Sequence, residues 1–271
     1  MIPASFAYER ADSVEGALAL LAEHGDEAKL LAGGHSLLPL MKLRLATPSV
    51  LVDVGRLDGL SYVVDGGSEL RIGALTRHHL LETDPLLRAS CPLLAYAASQ
   101  VGDPQVRHRG TLGGTLAHGD PASDLPAVVL ALGGTLVVRG PGGEREVAAA
   151  DFFTGFLETA LSPDEMLVEV RLPKTGDAGW SFQKFNRRAQ DWAIVGVAYA
   201  RGFGVGLVNM GSVPLRATAV EAALASGASA GDAAAVAADG TEPPADLSAS
   251  VEFRRHLAQV LVRRALQEAG V

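Results

Sequence analysis

The stretch that most restricts what this chain can fold into is Lys29 to Leu45, KLLAGGHSLLPLMKLRL. A short apolar run ends in Ala32-Gly33-Gly34, turns through His35-Ser36 and gives way to a second apolar segment. Glycines lack Cβ, so successive backbone N–H groups can converge on one point and a ligand can approach the main chain closely. The pattern predicts an anion cradle behind a buried strand. A second loop of the same kind, Arg109-Gly110-Thr111-Leu112-Gly113-Gly114-Thr115, runs on into His118-Gly119-Asp120-Pro121-Ala122-Ser123-Asp124. Two cradles in one domain suit a ligand with two phosphates. Neither loop matches GxGxxG after a strand, and GxxxxGKS/T is absent, which sets aside a Rossmann site and a P-loop. A Gly-Gly pair alone is as readily a plain tight turn. The reading rests on two such turns, each expected after an apolar strand and each followed by a hydroxyl residue.

Composition narrows the partners. At 271 residues and 48% hydrophobic content the chain can bury a sizeable core, in one large domain or two. A formal charge of −8 argues against a nucleic-acid groove or an anionic membrane surface. Cys91 is the single cysteine, so the sequence holds no intrachain disulfide, zinc ribbon or cysteine-ligated iron–sulfur cluster, and a reducing compartment is expected. MIPASFAYERADS does not read as a signal peptide, and no apolar run approaches the roughly 18 residues of a membrane span, so the expected location is the cytoplasm. Seven histidines are scattered, and the adjacent His78 and His79 face opposite ways, which is a poor metal site.

Taken in order, the periodicity predicts a helix from Val14 to His24 capped at Asp12, strands at Lys29–Ala32 and Leu51–Val54, and a hairpin turn at Asp65-Gly66-Gly67 leading into Leu70–Ala74. Thr76 is the expected cap of a helix through Leu81, which Asp84-Pro85 breaks. Pro92 starts another, ending at Gly102-Asp103-Pro104. An alanine- and leucine-rich helix is expected over Asp124–Leu132, a strand over Thr135–Arg139, an aromatic turn over Asp151–Phe156, and a half-buried strand over Leu167–Leu172. Pro173 to Gly179 is a polar, turn-rich boundary. Beyond it, Trp180–Phe185, Trp192–Ala200 and Val205–Met210 read as three strands. Helices follow at Thr218–Leu224, Asp232–Ala237 and Phe253–Ala269, the last with Phe253, Leu257, Val260, Leu261 and Ala265 inward and Arg254, Arg255, Arg263 and Arg264 outward.

The segments Leu30-Leu31-Ala32-Gly33-Gly34-His35-Ser36-Leu37, Asp103-Pro104-Gln105-Val106-Arg107-His108-Arg109-Gly110-Thr111-Leu112-Gly113-Gly114 and Ala117-His118-Gly119-Asp120-Pro121-Ala122-Ser123-Asp124 resemble the FAD-binding medium subunit of the molybdenum hydroxylases. Carbon monoxide dehydrogenase and xanthine dehydrogenase are the best-known members of that family. The likeness continues through Phe152-Phe153-Thr154-Gly155, Leu161-Ser162-Pro163-Asp164-Glu165, Arg187-Arg188-Ala189-Gln190-Asp191-Trp192-Ala193 and Ser250-Val251-Glu252-Phe253-Arg254-Arg255-His256-Leu257, and so spans nearly the whole chain.

The resemblance implies an α+β protein. An FAD-binding domain of the p-cresol methylhydroxylase type would span residues 1–175 in two lobes, about 1–57 and 58–175. A smaller C-terminal α+β domain, a three-stranded antiparallel sheet with helices, would span 176–271. FAD would be held noncovalently. Leu30 to Leu37 and Thr111, Gly113, Gly114 and Thr115 would wrap its pyrophosphate, Val101 and Leu161 would line it, and Asp124 and Lys184 would be polar contacts. Trp192 falls where the family often carries an aromatic residue against the flavin ring. Thr115 and His108 stand where the family commonly has Asn. The implied partners are a molybdopterin-binding large subunit and a small subunit with 2Fe–2S clusters, assembled as a dimer of heterotrimers. In that scheme this chain passes electrons from the clusters to an external acceptor and is inactive toward substrate alone. No catalytic residue or metal ligand is assigned to it.

Each residue also has a plainer reading. Ser36 and Thr111 are equally well helix caps, Asp124 an N-cap, Lys184 a snorkelling surface residue and Trp192 core. Two other functions are compatible with the motifs: a self-contained flavin oxidoreductase of the same fold, and a nonredox nucleotide-binding assembly subunit.

Overall fold

In the computed structural model, which describes residues 2–271, β1 (Ala7–Arg10) opens the chain as a strand exposed on both faces. It lacks the alternation that would have marked it in sequence. α1 (Val14–His24) follows, capped by Ser13, whose Oγ accepts from the Gly16 amide, one residue later than expected. β2 (Ala28–Leu31), α2 (Leu37–Leu43) and β3 (Val50–Asp53) complete the first lobe. Its three strands are parallel in the order β1-β3-β2, with Ala17, Leu21, Val50 and Val52 buried behind them.

β4 (Val63–Asp65) and β5 (Glu69–Gly73) form the expected hairpin. Four helices follow: α3 (His78–Thr83), α4 (Pro85–Ser90), α5 (Pro92–Ser99) and the short α6 (Pro104–Arg107). One expectation fails here, and one holds with an addition. Thr76 does not cap α3, because its hydroxyl is engaged with the Tyr62 backbone on both sides. Asp84-Pro85 ends α3 but starts α4, since Asp84 accepts from the Leu87 amide and proline suits a first turn. Next come α7 (Leu112–His118), α8 (Asp124–Ala131), β6 (Thr135–Gly140), β7 (Gly143–Ala148), α9 (Ala149–Phe152), the small hairpin of β8 (Phe153–Gly155) and β9 (Glu158–Thr159), and β10 (Met166–Pro173).

The second sheet runs β4-β5-β10-β6-β7, all antiparallel. Its central β10 is buried on both faces rather than half-buried as its alternation implied. Glu169, at the polar face, is covered by Tyr62 at 2.7 Å, Arg71 at 2.8 Å and Arg171 at 2.7 Å. Burial alone would raise its pKa. The bonds from Arg71, Arg171 and Tyr62 win, and hold the carboxyl below its usual range.

The C-terminal domain is built on β11 (Trp180–Phe185), β12 (Val195–Ala200), β13 (Gly204–Val208) and a two-residue β14 (Leu215–Arg216), antiparallel in that order. The fourth strand is a short edge beyond the three expected. α10 (Thr218–Ala225), α11 (Ala230–Ala235) and α12 (Val251–Glu268) cover one face. The other face meets α8 so closely that a Cβ on Gly206 would lie 2.0 Å from the Ala127 carbonyl oxygen. Phe182, Ala198 and Ala200 therefore join the same core as Leu70, Leu94 and Val128. The buried stripe of α12 is rotated from the expected one: Arg254 is 1% exposed, while Phe253 is 41% exposed and packs edge-on against Phe185. No helix among the described residues is long and apolar enough to cross a membrane.

Candidate functional site

The first glycine loop leaves β2 at Leu31 and enters α2 at Leu37. Gly34 takes a φ of 78°, a left-handed turn that suits glycine. Among the described residues the amides of Gly33, Gly34, His35, Ser36 and Leu37 have no acceptor, the first intramolecular bond being Leu38 N–H to Gly34 O at 3.1 Å. Ser36 does not cap α2 through its side chain. Five consecutive free donors facing a cavity form an open anion cradle.

The second loop differs from expectation. It follows the helix α6 rather than a strand, and Leu112 to His118 is itself helical, with Thr111 accepting from the Gly114 amide at 3.1 Å as its N-cap. The remaining first-turn amides are also used: Leu112 donates to Thr76 O, Gly113 to Ala74 O and Thr115 to Thr111 O. Of the two loops only the first is thus an open main-chain cradle, and the second is its wall. Its glycines serve packing. A Cβ on Gly113 would lie 2.7 Å from the Ala74 carbonyl oxygen, and one on Gly114 would lie 2.6 Å from Thr111 Oγ1. A Cβ on Gly33 would lie 2.3 Å from the Arg109 carbonyl oxygen, so the two loops meet backbone to backbone. Arg77 fastens this contact, donating to the Arg109 carbonyl and, at 3.1 Å, to the carbonyl of Gly55 behind β3. Sequence reasoning missed Arg77; an arginine just after a buried strand end was its only signal.

The loops open on a cavity of about 740 Å³. Leu30 through Leu37, Val101, Thr111, Gly113, Gly114, Thr115, Asp124, Leu161, Lys184 and Trp192 all line it. Every residue expected to contact the cofactor therefore lines one space, from separate stretches of both domains. The β8–β9 hairpin forms another wall, with Leu157 held at a φ of 58°. Trp192 is neither core nor fully covered: it overhangs the cavity with 56% of its surface exposed.

At the domain junction, Lys184 Nζ donates to Asp124 Oδ2 at 2.7 Å and to Gln100 O at 2.9 Å. Both side chains are buried, so Lys184 is not a snorkelling surface residue. Asp124 Oδ1 is buried without a partner. Burial pushes the Asp124 carboxyl up to about 6 despite the neighbouring ammonium. His78, under the second loop, is driven down to about 4 by burial, and burial with the Arg109 charge also lowers His35. Both imidazoles are thus neutral near pH 7, so neither adds a positive charge to that of the open amides at the first loop.

Two family models match the chain. Residues 4–175 match the FAD-binding domain in molybdopterin dehydrogenase, and residues 180–269 match the carbon monoxide dehydrogenase flavoprotein C-terminal domain. The chain belongs to this family. It is 41% identical to the carbon monoxide dehydrogenase medium chain of Hydrogenophaga pseudoflava, over 99% of this chain and 98% of that one. It is 35% identical to the glyceraldehyde dehydrogenase medium chain of Sulfolobus acidocaldarius, over the full length of both. A solved carbon monoxide dehydrogenase from Hydrogenophaga pseudoflava superposes with a TM-score of 0.96 at 42% identity, covering 99% of this chain and 98% of that one. The protein is a medium FAD subunit of the molybdenum hydroxylase type, and FAD is its cofactor.

The residues present fit that cofactor. A run of free amides suits a pyrophosphate, the volume lies within the roughly 300–1,000 Å³ of small-molecule sites, and the orphaned Asp124 Oδ1 can accept from an N–H or O–H.

Proposed function

We propose that this chain is the electron-transfer subunit of a molybdenum hydroxylase, taking electrons from iron–sulfur clusters of a partner and delivering them to an external acceptor. The bound flavin supplies the redox chemistry, and the protein binds it, orients it and limits access to it. The convergence of one open amide cradle, a buried carboxylate with a free oxygen and an overhanging tryptophan on a single cavity carries this reading. Gly33, Gly34, His35, Ser36 and Leu37 hold the pyrophosphate through their amides, with Thr111, Gly113, Gly114 and Thr115 as the opposing wall. Asp124 and Lys184 fix the polar edge of the cofactor, Leu30, Leu31, Ala32, Val101 and Leu161 its apolar surround, and Trp192 its ring. FAD is held noncovalently.

The cysteine count supports this division of labour. Cys91 is buried and its thiol is pushed up to about 11 by burial, so this sequence supplies no cluster ligands. The relatives' designation as medium chains supports partners that carry the clusters and the molybdenum centre. We place the complex in the cytoplasm as a dimer of heterotrimers, and the domain boundary at residues 175/176, a division supported by the family matches ending at 175 and resuming at 180.

The test is rapid mixing of the FAD-loaded chain with a reduced iron–sulfur subunit co-purified from the same complex. Bleaching of the flavin absorption bands is expected. A flavin that stays oxidised while the same subunit reduces an artificial acceptor would refute electron transfer. A chain that emerges colourless and cannot be reconstituted would refute the assigned site.

A further inference from the structure

The loop between Phe185 and Ile194 presents Gln190, Asp191 and Trp192 to the cavity. Its internal bonds are few: an Arg188–Asp191 ion pair at 3.0 Å, an Asp191 N–H to Arg188 O bond at 2.9 Å and a long Asn186 to Asp191 O contact. The height of Trp192 is therefore set at the base of the loop. Three bonds are made there. Ile194 N–H donates to Phe185 O at 2.8 Å, the buried Arg254 donates to Ile194 O, and Asn209 Nδ2 donates to Ala193 O at 2.8 Å.

Asn209 differs from the other two because it also reaches the opposite wall. Its own backbone N–H donates to Pro121 O at 2.8 Å, on the corner that feeds Ser123 and Asp124 into the cavity. It sits just past β13 with a φ of 61°, a left-handed conformation that asparagine tolerates better than most residues. Beside it, Val208 packs against Ala127 and Ala193 in a small core of its own. One residue thus joins the base of the Trp192 loop to the corner that bears Asp124, across the domain junction.

We infer that Asn209 is a positioning residue that fixes Trp192 over the cavity relative to the Asp124–Lys184 pair, acting through the Ala193 carbonyl. The tether is a property of the protein alone; only its consequence for the flavin rests on the function proposed above. Asn209→Gly keeps the left-handed turn and removes the amide. Asn209→Asp keeps the side-chain shape but faces the Ala193 carbonyl with an acceptor.

The experiment uses the full chain in a Trp180→Phe background, which leaves Trp192 as the sole tryptophan. In FAD-free protein, both variants should lose Trp192 fluorescence anisotropy on the nanosecond timescale of loop motion. In FAD-loaded protein, both should retain the flavin at parental stoichiometry while its quenching of Trp192 decreases. Parental anisotropy in both FAD-free variants would overturn the inference, even if their melting temperatures fell, because that pattern marks a merely structural residue. Failure of the parent to bind FAD would refute the proposed function but leave the FAD-free comparison valid.

Discussion

Gly33→Ala isolates the contact on which the cradle depends. Gly33 has no left-handed φ, so alanine imposes no backbone strain of its own. Its Cβ, however, would lie 2.3 Å from the Arg109 carbonyl oxygen and 2.9 Å from both the Arg109 carbonyl carbon and Gly110 Cα. Ordinary contact begins at 3.4 Å, so the loops must part by 3.4 − 2.3, about 1.1 Å. These neighbours are main-chain atoms and cannot swing aside, and Arg77 resists their separation. Overpacking of this kind costs about 1–3 kcal/mol of stability. A shift of about 1 Å also carries a hydrogen bond of ordinary length out of its useful range. Bonds from amides to a charged acceptor contribute about 1.5–3 kcal/mol each, so losing one or two removes about 3 kcal/mol. At about 1.4 kcal/mol per factor of ten, FAD affinity should fall about a hundredfold. The assay is titration of FAD-free protein with FAD by flavin fluorescence, with circular dichroism and thermal melting as controls. Native ellipticity with parental affinity would show that the cradle is not where the cofactor's charge is met.

Two further outcomes follow from buried carboxylates. Glu169→Ala leaves Arg71 and Arg171 without their shared counter-charge. Because those guanidinium groups are 47% and 24% exposed and can turn to water, the cost should be about 2–3 kcal/mol, at the low end for a broken buried pair. Melting should fall by about 5 °C while FAD stoichiometry at 20 °C or so is unchanged; an unaltered melting temperature would mean the cluster is already solvated. Asp124 has its pKa raised by burial from 3.8 to about 6, so it binds its proton more tightly folded than unfolded. The stability this lends is complete below about pH 4 and is lost as pH rises to about 6, a difference on the order of 3 kcal/mol. Denaturant unfolding of the FAD-free parent should therefore weaken across that window relative to Asp124→Asn, and parallel pH profiles would contradict it.

What the sequence made legible was local and periodic. The Val14–His24 helix, the hairpin at Gly66-Gly67 and the strands of the C-terminal sheet each satisfy one face of one core, so their spacing carries the information. The family likeness then collected the candidate site residues, which local reasoning could not do because they come from separate stretches of both domains. Three failures share a cause in tertiary contact. β1 is invisible because both its faces are exposed and only its hydrogen bonds to β3 define it. β10 reads as half-buried because its Glu169 and Arg171 look like a solvent face, yet Arg71 and Tyr62 close over the carboxylate. On α12, Arg254 reads as a surface charge until the Ile194 carbonyl and Asp246, at 2.6 Å, give its buried guanidinium partners. The second glycine loop failed differently. Gly-Gly signals close approach, but not whether a ligand or another strand is approached, and here Gly113 is pressed against β5's exit at Ala74.

The same distinction explains how a chain of net charge −8 can hold a dianionic group. Lysines converging on the cradle would lose side-chain entropy and would need counter-charges when the site is empty. Amides fixed between β2 and α2 need neither, since their direction is set once by the turn at Gly34. Lys184, one of two lysines lining the cavity, is already neutralised by Asp124 and lies at the domain junction rather than at the cradle. On the proposed site, charge recognition thus stays within the FAD-binding domain. The C-terminal domain contributes Lys184 and Trp192, which are placed by its own sheet and by its contact with α8. A cofactor bound in this cavity touches both domains, and so favours their docked arrangement by its differential affinity for it.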